Sequence, residues 1–536
     1  MKEFQTGKVK GKYSPEVRSF ALTLHFYSPR AYEYVRGVCK NRLPAPRTLR
    51  SWYASVDGGP GCTSESLVAI KLKVDEALAK NKKIVCNLVM DEMAIRKHIH
   101  YDHIQKKYHG YVDFGNSYEN ENVEKDIAKE ALVFLINAVN DRWKIPVAYF
   151  LVDGLNSTEK TDILREVLIF ISQVDVTICS VTFDGATSNF AMCKKLGSSM
   201  DPINMKTYFK HPITNQKVYL FLDICHMLKL IRNTMASKYL CDGDGNNIMW
   251  KYIDNLEKLQ AADGVLQANN LVANHVRFQN QKMKTKLAAQ TLSCSVAASL
   301  QYLQTACHPD FIACGPTIKF IETFNILFDI FNSKNKFGKR FKKPLSINSA
   351  EEIFKYFDEA SNYIEQLQVK QRSCNKNILQ SQSKSGFLGF LIAINNFKAM
   401  YLDLLLEKKS VEYFTGYKFS QDHIESFFSK IRSRGGFNKN PTALQFTSAY
   451  KRLIIHNEIK TSVNANCINY DSTKILTIPS SSNYQPWKNR DAQIEVSLLD
   501  SSNTDEFDEI DLKHISPAIH DTVTYIAGFV EKKLKE

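Results

Sequence analysis

None of the twelve cysteines stands in a C-x-x-C pair or at any regular spacing. That leaves no disulfide framework, and the thiols read as reduced core residues of an intracellular protein. No run of 18 apolar residues and no signal peptide occurs, so neither a membrane protein nor a secreted one is expected. The phosphate-loop pattern G-x-x-x-x-G-K-[ST] is missing too, so the common loop cannot be the holder of a nucleotide. Negative charge is scarce outside one stretch. Residues 491–512 carry eight acidic residues and no Lys or Arg, so taking them away from a chain of net charge +14 leaves the rest at +22. Such a surplus suits a polyanionic partner, although charge alone does not separate DNA from RNA or from an anionic membrane surface.

What is present is ample for folding. With 536 residues, 44% of them hydrophobic and 11% aromatic, the chain can build large cores in two to four domains. Residues 1–62 show two segments that open alike, Ser14-Pro15-Glu16 and Ser28-Pro29-Arg30, each setting an N-cap Ser before an N1 Pro. A third helix from Pro46 carries Arg47, Arg50, Trp52 and Tyr53. This suits a helix-turn-helix with its last helix in a DNA groove, and it suits equally a small helical cap on the next domain.

Three carboxylates in three settings form the candidate chemistry. The apolar run Ile84–Met90 reads as a buried strand delivering Asp91 at its end, and Val176–Phe183 delivers Asp184 in the same way. In the segment Phe419 to Arg432, Ile424, Phe427, Phe428 and Ile431 fall on one helical face while Asp422, Glu425 and Ser429 share the other. A helix packed beside two strand ends would bring Glu425 to both aspartates. Three oxygen ligands with open positions suit Mg²⁺ or Mn²⁺ and phosphodiester chemistry. An Asp after a strand is also common simply because turns favour it.

Residues 63–226 alternate strand and helix signals, and from 227 to about 410 long helical patterns take over, including Lys284 to Thr305 and Phe387 to Leu406. The expected fold is therefore an α/β core interrupted by a large all-α insertion domain between Asp184 and Glu425. The core resumes over 411–475, and an acidic linker and a C-terminal helix occupy 476–536.

The motifs carry a resemblance across nearly the whole length. SPEVRSFALTLHFYSPRAYEYVR, PRTLRSWY, MDEMAIRK around Asp91, GYVDFG, FDGATSN around Asp184, DICHMLKLIRN from Asp223, SQDHIESFFSKIRSRGG around Glu425 and the closing TYIAGFVEKKL occur in order. In these the chain resembles P-element-type transposases and their THAP-containing relatives. The resemblance implies an RNase H-like catalytic core whose Asp91, Asp184 and Glu425 bind metal. Water first cuts DNA at the element end, and the freed 3′-hydroxyl then attacks target DNA. It also implies a nuclear protein acting on transposon ends and target DNA as a dimer or larger homo-oligomer.

By the same resemblance His226, in Asp223-x-x-His226, is a candidate contact to the scissile phosphate, though a capping or core His would fit the pattern as well. The family's insertion domain binds GTP, which is used in DNA assembly. This implies Asn325, Asp329 and Asp422, with Lys284, Lys286 and Ser293 as phosphate contacts. Lys430, Arg432 and Arg434 follow the catalytic helix as expected DNA contacts beside Arg47 and Arg50. The cluster from Lys334 to Lys343 reads as a nuclear-import signal or a solvated loop. Relatives usually begin with a THAP zinc finger, and residues 1–12 are too few to hold one. The second reading of the chain is accordingly a domesticated or truncated transposase serving as a non-catalytic DNA-binding or regulatory protein.

Overall fold

Ser14 and Ser28 act as their places before proline dictate. The Ser14 hydroxyl accepts from the Val17 amide at 3.4 Å and that of Ser28 from Ala31 at 3.1 Å, opening α1 (Pro15–Tyr27) and α2 (Pro29–Val38). With α3 (Pro46–Ala54) they close on a small core of Ala21, Leu22, Tyr32, Leu43 and Leu49. The computed structural model describes residues 13–54, 57–102, 106–115, 126–264, 269–370, 375–433, 438–455 and 474–476. Arg434, the acidic stretch and the expected terminal helix lie outside them.

The core follows in chain order: β1 (Gly61–Cys62), α4 (Ser64–Leu78), β2 (Ile84–Ala94), β3 (His100–Asp102), β4 (Lys107–His109), β5 (Glu130–Ala138), β6 (Trp143–Val152), α5 (Ser157–Ile171), β7 (Val176–Phe183), α6 (Thr187–Lys195), β8 (Tyr208–Lys210) and β9 (Lys217–Leu222). The main sheet runs β1-β6-β5-β2-β7-β9-β8. Strands β6, β5 and β2 are antiparallel, β2, β7 and β9 parallel, and a short β16 (Lys474–Ile475) joins β6. Three antiparallel strands followed by two parallel ones are the RNase H-like arrangement. Because both faces are covered, β5 and β6 are buried along almost their entire length, hence their unbroken apolar sequences.

The expected strand ending at Met90 continues to Ala94, so Asp91 lies within β2. Pairing with β7 stops at Val89, whereas pairing with β5 runs on to Ala94. The antiparallel neighbour thus keeps the strand extended where the parallel one has ended.

The insertion contains α7 (Ile224–Ser237), β10 (Leu240–Cys241), β11 (Asn247–Ile248), α8 (Lys251–Asp263), α9 (Ala273–Val276), α10 (Thr285–Thr291), α11 (Cys294–Thr305), α12 (Gly315–Phe331), β12 (Leu345–Ser346), α13 (Ala350–Gln366), β13 (Gln368–Lys370), β14 (Asn375–Asn377) and α14 (Ser385–Met400), which continues as a π-helix over Tyr401–Glu407. It is predominantly helical, with a small antiparallel sheet, β11-β10-β13-β14, that the helical reading did not anticipate. Strands of two or three residues are too short to leave a periodic signal. The expected helix from Lys284 to Thr305 is two helices, broken where the Ser293 hydroxyl accepts from the Val296 amide to start α11. Ser385–Glu407 is long and apolar enough to cross a membrane, but most of it is buried, with α14 packed on α7 and β9.

After β15 (Tyr413–Phe414), which pairs with β12, α15 (Asp422–Ser433) and α16 (Ala443–Ile455) return to the core sheet. Ile424, Phe427, Phe428 and Ile431 of α15 enter one core cluster with Val89, Met93, Val133, Leu135 and Tyr149. The amphipathic face read from the sequence is the buried one.

Candidate active site

Side chains alternate along β2, so Asp91 shares the face of Val89 and Met93, the face on which α15 packs. That geometry aims Asp91 toward the helix bearing Glu425. Burial pushes the Asp91 carboxyl well above the usual carboxylate range, the Glu425 charge adds to the shift, and Asp184 adds less. The Glu92 amide, donating to Asp91 Oδ1 at 2.9 Å, opposes it. The fold therefore brings Asp91, Asp184 and Glu425 into one electrostatic neighbourhood from positions far apart in sequence. Among the described residues, no three His, Cys, Asp or Glu side chains are drawn together closely enough to enclose an ion. In kind the donors nevertheless fit a divalent cation, because mutually repelling carboxylates on a buried frame are what such a charge relieves.

Each carboxylate is held by its surroundings. Asp184 Oδ1 accepts from the Ala186 amide at 3.1 Å and from Asn189 Nδ2 at 2.7 Å. Asn189 Oδ1 in turn accepts from the buried Lys160 ammonium at 3.3 Å, which also pairs with Glu92 at 2.7 Å. One lysine thus links the neighbour of Asp91 to the amide that orients Asp184.

Glu425 is placed by the segment before its helix. The Lys418 carbonyl accepts from Asn87 at 3.1 Å and Asn137 at 2.8 Å, and the Phe419 carbonyl accepts from Thr182 at 3.1 Å. Gln421, buried, donates its side-chain amide to the Met90 carbonyl at 3.0 Å, while its backbone N–H donates to Asp223 Oδ1 at 3.0 Å. The other oxygen of Asp223 accepts from the His226 amide at 2.7 Å and caps α7. The capping is therefore done by the Asp223 carboxylate and not by the His226 ring. Burial lowers the His226 pKa and Lys229 lowers it further, while Asp223 and Asp184 act in the opposite direction, so the ring lies within reach of the Asp184 charge. Lys160, Asn189 and Gln421 were not singled out by sequence reasoning. Two of them lie inside the quoted motifs FDGATSN and SQDHIES, which was the only available signal.

The remaining expected residues divide into groups. Asn325 Oδ1 accepts from the Cys294 amide at 3.2 Å and Asn325 Nδ2 lies 3.5 Å from Asp329, so Asn325, Asp329 and Ser293 gather at the start of α11. Lys342 approaches Asp329 at 3.7 Å. Asp422 lies instead among Asp223, Glu425 and Cys225. Burial and then those carboxylates push its pKa up to about 7, while Lys334 opposes the shift. Lys284 and Lys286 are exposed, at the start of α10. Arg47 is exposed and Arg50 half-buried on α3. Arg432 is half-buried with its guanidinium 5.9 Å from the Phe428 ring centroid. Lys430 is buried, which lowers its pKa to about 8, so its ammonium is not presented to solvent as a phosphate contact must be.

Comparison with known proteins gives four family matches in order. They are a P transposase-like HTH domain over residues 1–52, a TNP-like RNase H N-terminal domain over 58–197, a TNP-like GTP-binding insertion domain over 225–344 and a TNP-like RNase H C-terminal domain over 417–451. The human DNA transposase THAP9 is 30% identical over 444 residues, which are 82% of this chain and 48% of that protein. The transposable element P transposase of Drosophila melanogaster is 26% identical over 536 residues, 99% of this chain and 65% of that protein. The chain thus spans about half to two thirds of the length of these relatives. A solved Drosophila P element transposase strand transfer complex has the same fold, with a TM-score of 0.69 at 23% identity over 84% of this chain and 93% of that one.

Proposed function

The chain is a relative of the P-element-type transposases, and on that premise we propose that it cuts DNA at an element end and joins the freed 3′-hydroxyl to target DNA. Asp91, Asp184 and Glu425 act as the ligands of divalent metal ions, Mg²⁺ or Mn²⁺. A divalent cation supplies activation of the attacking oxygen and stabilisation of the leaving one. The observation that carries the reading is the packing of the Glu425 helix on the face of β2 that bears Asp91, with Gln421 bonded to the Met90 carbonyl; the raised Asp91 carboxyl agrees with it. Carboxylates gathered against their own repulsion store an affinity for cations.

The chain's own residues supply the order. Asn189 and the Ala186 amide fix the Asp184 carboxylate. Gln421 fixes the start of α15 to the residue before Asp91. His226, whose pKa burial lowers, serves at the phosphate as a hydrogen-bonding group. Exposed Arg47 and half-buried Arg50 and Arg432 hold DNA phosphates, work that should take place in the nucleus and on at least two copies of the chain, since two ends are joined. GTP binds at Asn325, Asp329 and Ser293, whereas Asp422, expected beside them, lies with Asp223, Cys225 and Glu425. Lys284 and Lys286 are the exposed candidates for its phosphates.

Strand transfer on pre-nicked DNA with Mg²⁺ or Mn²⁺ tests this. Wild type should join ends, while Asp91→Ala and Glu425→Gln should be inert. Joining by either variant at the wild-type rate would remove the assignment. Thermal stabilisation by GTP, lost in Asp329→Asn, tests the nucleotide site.

A further inference from the structure

We propose that the loop from Lys334 to Lys343 is a DNA-contact element in which Phe337 stacks on an unpaired base near the reacting end, while Lys336, Lys339 and Arg340 hold its phosphates. The inference rests on the transposase reading above and adds a site to it.

Phe337 is 83% exposed. A single exposed apolar side chain is ordinary, but this one is presented by a built turn. Its amide donates to Asn335 Oδ1 at 3.1 Å, and the Gly338 amide donates to the Asn335 carbonyl at 3.2 Å. A Cβ on Gly338 would fall 1.9 Å from the Lys342 carbonyl oxygen, so the chain crosses itself there only without a side chain. The base of the loop is fastened on several sides. Phe341 packs on Tyr356 at 5.0 Å, Lys343 pairs with Glu352 at 3.5 Å, and β12 pairs with β15. Two phenylalanines four residues apart thus have opposite fates, one anchoring the loop and one projecting from it between exposed cations.

The loop also starts beside the candidate active site. The Lys334 ammonium lies 4.3 Å from the Tyr417 ring centroid, four residues before Gln421, and its charge acts on both Asp422 and His423. Lys336 lies 5.2 Å from the Tyr413 ring. In intact duplex the base faces are already stacked on one another. An aromatic ring on a basic loop therefore finds a partner where pairing ends, and cut element ends are such places. Aromatic stacking with flanking cations binds single strands with little sequence preference. A protein import receptor would read the lysines and has no use for the projecting ring.

The test uses the full chain without divalent metal and a duplex with a short single-stranded extension carrying 2-aminopurine at its first unpaired position, beside a blunt duplex of the same sequence. Phe337→Ala should weaken binding of the extended DNA by roughly 5- to 100-fold and abolish the quenching of 2-aminopurine. Phe337→Trp should preserve both, and blunt-duplex binding should not change. Unchanged quenching in Phe337→Ala overturns the proposal, as does equal loss on the two DNAs. Loss of nuclear accumulation with DNA binding intact would assign the loop to an import receptor instead. Because no catalysis is read, quenching that survives in Asp91→Ala alongside an inert wild-type strand-transfer reaction would remove the enzymatic reading and leave this site standing.

Discussion

Replacing Gln421 by Leu isolates one hydrogen bond that ties the Glu425 helix to the Asp91 strand. Leucine keeps most of the volume and leaves the backbone bond to Asp223 intact, so only the 3.0 Å bond to the Met90 carbonyl is lost. Pairing of β2 with β7 has already stopped at Val89, so this amide meets the strand just where its parallel neighbour ends. Gln421 is 4% exposed and water cannot readily replace the donor, so the loss should cost about 1–3 kcal/mol of stability. The helix would still be held by Ile424, Phe427 and Phe428 but would be free to shift along the sheet. A displacement of about 1 Å at Glu425 should lower strand transfer by roughly 100-fold. Gln421→Glu should be at least as harmful, because it sets an acceptor against an acceptor beside Asp223 and Asp422. Urea unfolding together with strand transfer per folded molecule measures both effects. If Gln421→Leu is destabilised but transfers strands at the wild-type rate, the bond does not position Glu425 and the reasoning fails.

Lys160→Met should cost up to about 3 kcal/mol, because it leaves Glu92 and Asn189 without their shared cation, the partial exposure of Glu92 softening the loss; thermal melts check this. Asp422, raised to about 7 from an ordinary value of 3.8, holds a proton in the fold across a window where the unfolded chain has lost it. Its contribution to metal-free stability should fall as pH rises from about 4 to 7 and level off above. Denaturation at pH 5.5 and 7.5 should show that part of the slope disappear in Asp422→Asn. Arg432→Gln should reduce the slope of log affinity for DNA against log salt by about 0.9, while Lys430→Gln should leave it unchanged, since a buried ammonium releases no counterion.

The parts of this fold that were legible in the sequence are those with a repeated signal. The Ser-Pro helix starts, the apolar strands and the Ile424, Phe427, Phe428, Ile431 face each carry their period on the surface of the sequence, and the interruption of the core follows from where strand signals cease. Asp91 was placed at a strand end because apolar residues stop there, but strand length is set by the β5 neighbour, which local pattern does not contain. The small sheet of the insertion leaves no periodic signal because its strands are two or three residues long, and Leu240–Cys241 pairs both with Asn247–Ile248 close by and with Gln368 and Val369 far along the chain. Gln421 and Lys160 act through partners 331 and 68 positions away, Met90 and Glu92, and no local periodicity encodes such distances. The charge of Lys430 and its place after Glu425 suggest a DNA contact, whereas its burial depends on how α15 turns against the sheet.

Manganese binding tests the central claim most directly, read by electron paramagnetic resonance as the loss of the free Mn²⁺ signal on titration with folded protein. Wild type should take up Mn²⁺ at pH 7.5, whereas Asp91→Asn and Glu425→Gln should bind it at least about tenfold more weakly while melting no lower without metal, because each substitution relieves carboxylate repulsion. Equal Mn²⁺ uptake by wild type and both variants would contradict the assignment of Asp91, Asp184 and Glu425 as one metal site.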